Sequence, residues 1–315
     1  MAGGRASGGD FESTARMLWA RYARGWFSLL GACAGIGFLT FCSAGLSGQD
    51  LTKASTSRSS RQEALQSIPL DALNGDAKRK VLSVINQTSV YRRLLVNTYL
   101  CDPDMHNFLI RYPEVVVGIW RVMGITEVAA RRVEDYRIQA TDGMGTTSSI
   151  ELLYGTKNLH VFYGQGVYEG PLFHNRLNGS CLLVLKSDFG SNRNGDPVVS
   201  DRLDVFLRVD NIGVKILART LHSLVGKTAD INFRESTRFI GKVSETAEIN
   251  GTGVGRLGDR IEGLEPEVRE AFQRLAIVVN DRSAGRLQGR LKSSNGLTGA
   301  VSGTNQATSP ATVRP

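Results

Sequence analysis

Between residues 125 and 209 apolar and polar positions alternate with a period of two. Turn-forming groups cut the alternation at short intervals: Glu134-Asp135, Asp142-Gly143, Thr156-Lys157-Asn158, Asn178-Gly179 and Asn194-Gly195. Asn-Gly and Asp-Gly tolerate positive φ at both central residues of a tight hairpin, so the pattern predicts strands near 125–133, 136–141, 147–154, 159–169, 180–188 and 199–209. Strands this closely spaced leave no room for crossover helices and must pair mostly antiparallel. After Asp210-Asn211 the period becomes helical. Val214, Leu217, Leu221 and Leu224 form an apolar stripe that Ala229, Phe233, Ile240, Val243 and Ala247 extend. This predicts a long amphipathic helix from Gly213 to Asn250, with Gly226 as a point of kinking or division and Asn250-Gly251 as the stop.

Upstream of the alternating region, Ile68, Leu73, Ala77, Val81, Val84 and Ile85 mark a short helix entered near Asn74–Asp76, and Tyr91 to Cys101 reads as a long first strand. Asp102 is an N-cap with Pro103 at the first helical position, and Pro113-Glu114 restarts a second helix that stops at Gly124. Two helices in tandem therefore separate the first strand from the rest. A final amphipathic helix starts at Pro266 and carries Val268, Phe272, Leu275 and Val279 on one face. The order of elements predicts an α+β fold in which a curved antiparallel sheet wraps on the long helix.

The ends of the chain differ in composition from this middle. Residues 49–67 are rich in Ser, Thr and Gln and read as a linker, and residues 283–315 have no acid and no aromatic and read as a disordered tail, which leaves one domain over 68–282. Before the linker, Arg16, Arg21 and Arg24 precede an uncharged apolar run from Trp26 to Ser47, with small residues near its end. Residues 1–48 are thus expected to be an export signal, either removed or kept as a membrane anchor over residues 25–48. The expected location is the periplasm or cell envelope.

Charge placement excludes a class of partner. The chain has a formal net charge of +8, but 7 basic and 4 acidic residues fall in 1–67 and 4 basic and none acidic in 283–315, leaving 27 basic against 26 acidic between them. A nucleic-acid binder concentrates basic charge on its folded domain, because phosphate neutralisation supplies most of its affinity. DNA and RNA are therefore not expected as partners. Lys215, Arg219, Lys227, Arg234, Arg238 and Lys242 along the polar side of the long helix read as a solvated charged face, with attraction to an anionic membrane surface as the alternative.

Chemistry-bearing motifs are sparse. Gly253, Gly255 and Gly258 spell G-x-G-x-x-G, but a helix rather than a strand precedes them, so no dinucleotide site is expected. His106, His160, His174 and His222 include no close pair of the kind metal sites use, and neither a metal nor a cofactor is predicted. His160 and His174 fall on neighbouring predicted strands and, with Asp102 or Asp104, are the candidates for an acid/base group. Asp102 has a simple role as a helix cap and a second possible one as a ligand contact. In Arg92-Arg93 and Arg131-Arg132 one arginine of each pair faces either side of a strand; exposure or protection of a strand edge is the expectation, and an inward one, with Arg93 as the candidate, needs an anionic partner such as an acidic headgroup. Outside the cytoplasm Cys101 and Cys181 have a single possible pairing, but two separate buried thiols are the expectation.

The order strand, two helices, six-strand meander and long helix over residues 89–250 resembles the START-like, or helix-grip, superfamily. The stretches CDPDMHNFLIRYPEVVVGIWRVMGIT (101–126), YGTKNLHVFYGQGVYEGPL (154–172) and DRLDVFLRVDNIG (201–213) are similar to a family of uncharacterised exported proteins of planctomycete-type bacteria. That family implies no activity. The superfamily implies a cavity between sheet and long helix that often holds a lipid, sterol or polyketide-like molecule and occasionally acts on it. Its lining here would come from Trp120, Tyr154, Phe162, Tyr168, Phe206, Leu217, Leu221, Leu224 and Phe233, the alternative being that these fill a solid core. The expected function is non-enzymatic binding of a hydrophobic small molecule or lipid. An envelope interaction protein without ligand, and an enzyme of the polyketide cyclase/dehydratase type, are the rival classes.

Overall fold

A computed structural model describes residues 54–169, 176–210 and 227–301. The element order is α1 (Arg58–Gln66), a 3-10 turn (Leu70–Ala72), α2 (Gly75–Asn86), β1 (Val90–Arg93), β2 (Asn97–Leu100), α3 (Pro103–Arg111), α4 (Pro113–Val122), β3 (Ala129–Glu134), β4 (Arg137–Thr141), β5 (Thr146–Gly155), β6 (Leu159–Tyr168), β7 (Leu177–Ser191), β8 (Pro197–Val209), α5 (Lys227–Ile249), α6 (Gly251–Asp259) and α7 (Pro266–Val301). The eight strands form one open antiparallel sheet of order β1-β8-β7-β6-β5-β4-β3, with β2 also paired to β8. The chain is thus a mixed α+β fold with C-terminal helices, and its strands lie where the turn residues predicted them except at Asn178-Gly179, which was expected as a turn but lies inside β7, paired with Val167 and Gly166 of β6.

Local chemistry explains the two tandem helices. The Asp102 carboxylate accepts from the amides of Asp104 and Met105, with Pro103 in the first turn of α3, and Pro113 opens α4. The predicted first strand is divided. β1 and β2 both pair with β8, and the division falls just after β1, where Leu94 still donates its amide to the Leu203 carbonyl at 2.9 Å and buries its side chain in the core.

Both faces of the sheet are covered. Alternate residues of β8 decide the sides: Leu203, Val205 and Leu207 pack with Leu94, Cys181, Ala229 and Phe233 under α5, whereas Phe206 packs with Tyr91, Leu182, Val184, Ala64, Val81 and Val84 under α1 and α2. The stretch expected as a linker therefore contains a helix. Ser57 caps it by accepting from the Ser60 amide, and Ala64 is fully buried, so the Ser-rich composition marks a helix start and not a disordered segment.

The C-terminal helices form a third layer that shares its core with α3 and α4 through Trp120, Phe239, Phe272 and Val279. The helix predicted to stop at Asn250-Gly251 does end there, but Asn250 immediately caps α6 by accepting from the Gly253 amide. The glycines of the G-x-G-x-x-G string lie inside α6. Gly251, Gly255 and Gly258 let that helix press on α7, while Gly253 makes room for the Asn250 cap: a Cβ at Gly251 would lie 2.4 Å from the Ala276 carbonyl oxygen, and one at Gly258 3.3 Å from Phe272. The string is a packing seam. α7 continues to Val301 through residues expected in the tail, where Arg286 reaches Glu248 at 2.8 Å and Arg290 pairs with Asp196.

Candidate functional site

On the sheet face covered by α5, strand register gathers the smallest residues into one area. Ala140, Ser148, Gly166 and Gly179 stand directly opposite one another across β4 to β7. The adjacent row runs Ile138, Ile150, Gly164, Cys181 and Leu207. Ser148, Gly164, Gly166, Gly179 and Cys181 are all buried. Phe162 and Tyr168 flank this floor on β6, and Phe233 comes toward the same face from α5. A sheet normally lies about 10 Å from the layer packed on it. Rows of Gly, Ala and Ser fill little of that depth, so whatever occupies it comes from outside the sheet.

At the far end of the same face sits a buried polar cluster. Asp201, with no exposure, accepts from Ser187 Oγ at 2.6 Å, Tyr99 Oη at 2.6 Å and His106 Nε2 at 3.1 Å to each oxygen. Three donors satisfy a carboxylate that burial would otherwise penalise. Ser187 and Asn97 are the residues paired with Asp201 on β7 and β2, while His106 comes down from α3. Phe189 packs edge-on to His106 at 5.5 Å. Next to this group Arg111, on the last turn of α3, donates its Nε to His160 Nε2 at 3.2 Å and its Nη2 to the Thr156 carbonyl at 3.1 Å. His160 has no exposure, and burial, followed by the charge of Arg111, lowers its pKa to about 4. It is a neutral imidazole held as an acceptor.

The sequence-predicted residues divide between layers. Phe162, Tyr168, Phe233 and His160 come to the α5 face, whereas Tyr154 and Phe206 turn to the α2 face and line no space beneath α5. For Tyr154 the reason is a β-bulge between Leu152 and Tyr154, which reverses the side-chain alternation. Trp120 is a core residue of α4, its ring 5.3 Å from Phe239. Asp102 is engaged by its cap and by Arg282 at 3.2 Å. Leu217, Leu221, Leu224, His174, Gly226 and the apolar run 26–47 lie outside the described residues.

Arg92, Arg93 and Arg132 carry their own anions. Arg92 faces α5 and pairs with Asp230; Arg93 faces α1 and binds the fully buried Asp204 through Nε at 2.8 Å and Nη2 at 3.2 Å, with Glu63 at 2.7 Å. Tyr91 donates to the same Asp204 at 2.6 Å, and burial, with that carboxylate, pushes its phenol well above the ordinary range. Arg132 is held by Glu114 at 2.7 Å and lies over the Tyr112 ring. Arg93, the candidate for a ligand headgroup and otherwise expected to be exposed, is instead committed to protein carboxylates. Sequence reasoning missed Asp201 and Asp204. Their signal was two carboxylates three apart in a strand apolar on both sides, which puts one on each buried face and obliges each to have donors.

No family model matches this chain. Nor does any curated protein. Among solved structures, a conserved protein from Geobacillus kaustophilus is 10% identical, with a TM-score of 0.31, over 46% of this chain and 91% of its own. A protein from Rhizobium leguminosarum is 13% identical, also with a TM-score of 0.31, over 48% of this chain and 95% of its own.

Among the described residues no group of three His, Cys, Asp or Glu side chains is placed to hold a metal ion. No helix among them is long and apolar enough to cross a membrane. Cys101 is a buried free thiol whose pKa burial raises strongly, so it does not act as a nucleophile; Cys181 is disulfide-bonded, so the two do not pair with each other and the expectation of two separate thiols holds for Cys101 alone. An open groove of about 420 Å³ lies beside the β3–β4 turn, lined by Glu134, Asp135, Tyr136, Arg137 and Glu151. Its charges are largely internal pairs, since Arg137 meets Glu134 at 2.9 Å and Glu151 at 3.2 Å.

Proposed function

We propose that this protein is an exported, non-catalytic container of the helix-grip kind, holding a hydrophobic small molecule or lipid between the sheet and the long helix. The observation that carries the reading is the buried floor of Ser148, Gly164, Gly166 and Gly179 on the α5 face, flanked by Phe162 and Tyr168. Protein interiors are close-packed, so space left by missing side chains is filled by a covering segment or by a guest. A flat apolar guest bounded by aromatic rings suits a floor with one hydroxyl and little charge. Arg16, Arg21 and Arg24 ahead of the apolar run 26–47 support export, with anchoring to the membrane if the run is retained. Catalysis is the weaker reading, because Asp201 and His160 spend their hydrogen bonds on the protein.

The test is native mass spectrometry and solvent extraction of the full chain from a bacterial host, with Ser148→Leu as the variant that fills the floor. We expect an apolar molecule on the wild type and a loss of about tenfold or more in occupancy on S148L, with unchanged circular dichroism. If nothing co-purifies, no member of a lipid panel raises Tm, and S148L is more stable than wild type, the floor is covered by protein and the envelope interaction reading replaces this one.

A further inference from the structure

We infer that Arg111 and His160 form an acid-sensitive latch that ties α3 to the sheet, closed while His160 is neutral and released when its ring gains a second proton. α3 touches the sheet through three polar contacts: His106 to Asp201 on β8, the Arg111 side chain to His160 on β6 and to the Thr156 carbonyl in the β5–β6 turn, and the Arg111 carbonyl, which accepts from Arg132 on β3 at 3.1 Å. The two that involve a histidine differ in kind. His106 donates to a carboxylate, and a positive charge on its ring would strengthen that contact. His160 must accept from a guanidinium, and the lone pair on Nε2 that does so is the same one a proton would take. Protonation therefore removes the acceptor and sets a second cation 3.2 Å from the first, in a site with no exposure.

The surroundings offer little to soften that charge. From α3 the ring faces Arg111 and His106, and from β8 Asp201, whose oxygens are already taken by Tyr99, Ser187 and His106. Its pairing partners, Gly155 on β5 and Leu185 on β7, carry no titratable group, and Phe162 stacks beside it at 6.3 Å. Lys157 in the adjoining turn adds a further positive charge, held over the Phe189 ring at 5.2 Å. Asp201 alone favours the charged ring; burial and Arg111 oppose it, in keeping with a pKa near 4. The Nδ1 proton of the neutral tautomer has no described acceptor, so the ring is fixed by Arg111 from one side only. Release loosens the C-terminal turn of α3, leaving the Arg132 bond to the Arg111 carbonyl as its remaining polar tie there, and frees the Thr156 carbonyl. The latch acts whether or not a guest is bound.

Hydrogen exchange on the full chain at pH 7 and pH 4, corrected for intrinsic rates, reads it directly. In the wild type the amides of residues 108–112 should lose about tenfold protection at pH 4 relative to those of β7 and β8. In His160→Gln, whose side-chain oxygen stands in for Nε2 at every pH, that selective loss should disappear. An equal loss in H160Q, or protection in the wild type that falls uniformly, overturns the latch. If H160Q does not fold, the wild-type His160 ring titrated by NMR decides: a midpoint near 4 coincident with the change in α3 supports the latch, and a midpoint near the ordinary histidine value overturns it.

Discussion

The two faces of the sheet are built by different means from the same strands. Under α1 and α2, large side chains meet large side chains: Tyr91 and Phe206 pack at 4.9 Å, and Asp204 is locked by Tyr91 and Arg93. Under α5 the central rows are glycine, alanine, serine and cysteine, and the polar groups are confined to one end around Asp201. A strand whose alternate residues differ this much in size serves a solid support on one side and an adaptable surface on the other. Stability should therefore be concentrated under α2, and any binding under α5.

Substitutions can break or sharpen that contrast. The largest effect is expected for Phe206→Ala, which removes a ring with no exposure from the solid face and should cost about 4 kcal/mol in urea unfolding. Asp204→Asn leaves Arg93 without its buried counter-ion and should cost about 3 kcal/mol by the same measurement. Next comes pH. His160 has a folded pKa of about 4, below the ordinary value near 6.5, so the unfolded chain takes up the proton first as pH falls. Its contribution is complete above pH 6.5 and is lost from there down to pH 4, by up to about 3 kcal/mol, seen as the difference between wild-type and H160Q unfolding curves. Asp102→Ala, which removes the α3 cap and the partner of Arg282, should lower stability by about 1 to 2 kcal/mol. The smallest change belongs to the α5 face: Ser148→Val should shift stability by less than about 1 kcal/mol, and a cost as large as that of F206A would show the two faces to be equally tight.

Much of the fold was legible in the sequence, because hairpin turns and helix caps are local signals. Asp142-Gly143, Asn194-Gly195 and Asp102-Pro103 each act through neighbours a few residues away, and each does in the structure what its chemistry predicts. What stayed hidden depends on contacts distant in sequence or on single insertions. The bulge at Leu152–Tyr154 moved Tyr154 to the opposite face, a reversal that alternation alone cannot register. α6 was obscured because glycine has low helix propensity, and only the approach of α7 at Ala276 explains why glycine stands there. The candidate site was the least legible part. The small floor exists only once the register of β4 to β7 is known, and Asp201 and Asp204 look like ordinary strand charges until Tyr99, His106 and Arg93 converge on them.

The place of β8 has a consequence for the time at which the molecule can become itself. Arg93 and its partner Asp204 are 111 residues apart, and both β1 and β2 wait for β8 as their neighbour. A nascent chain can form the hairpins from β3 to β7 as they emerge, but the first strands keep an unpaired edge until residue 209 has been made. Non-local closure of this kind is slow. For most of its synthesis the chain is therefore long, partly ordered and unsealed, and the last strand of the sheet is the one that commits it.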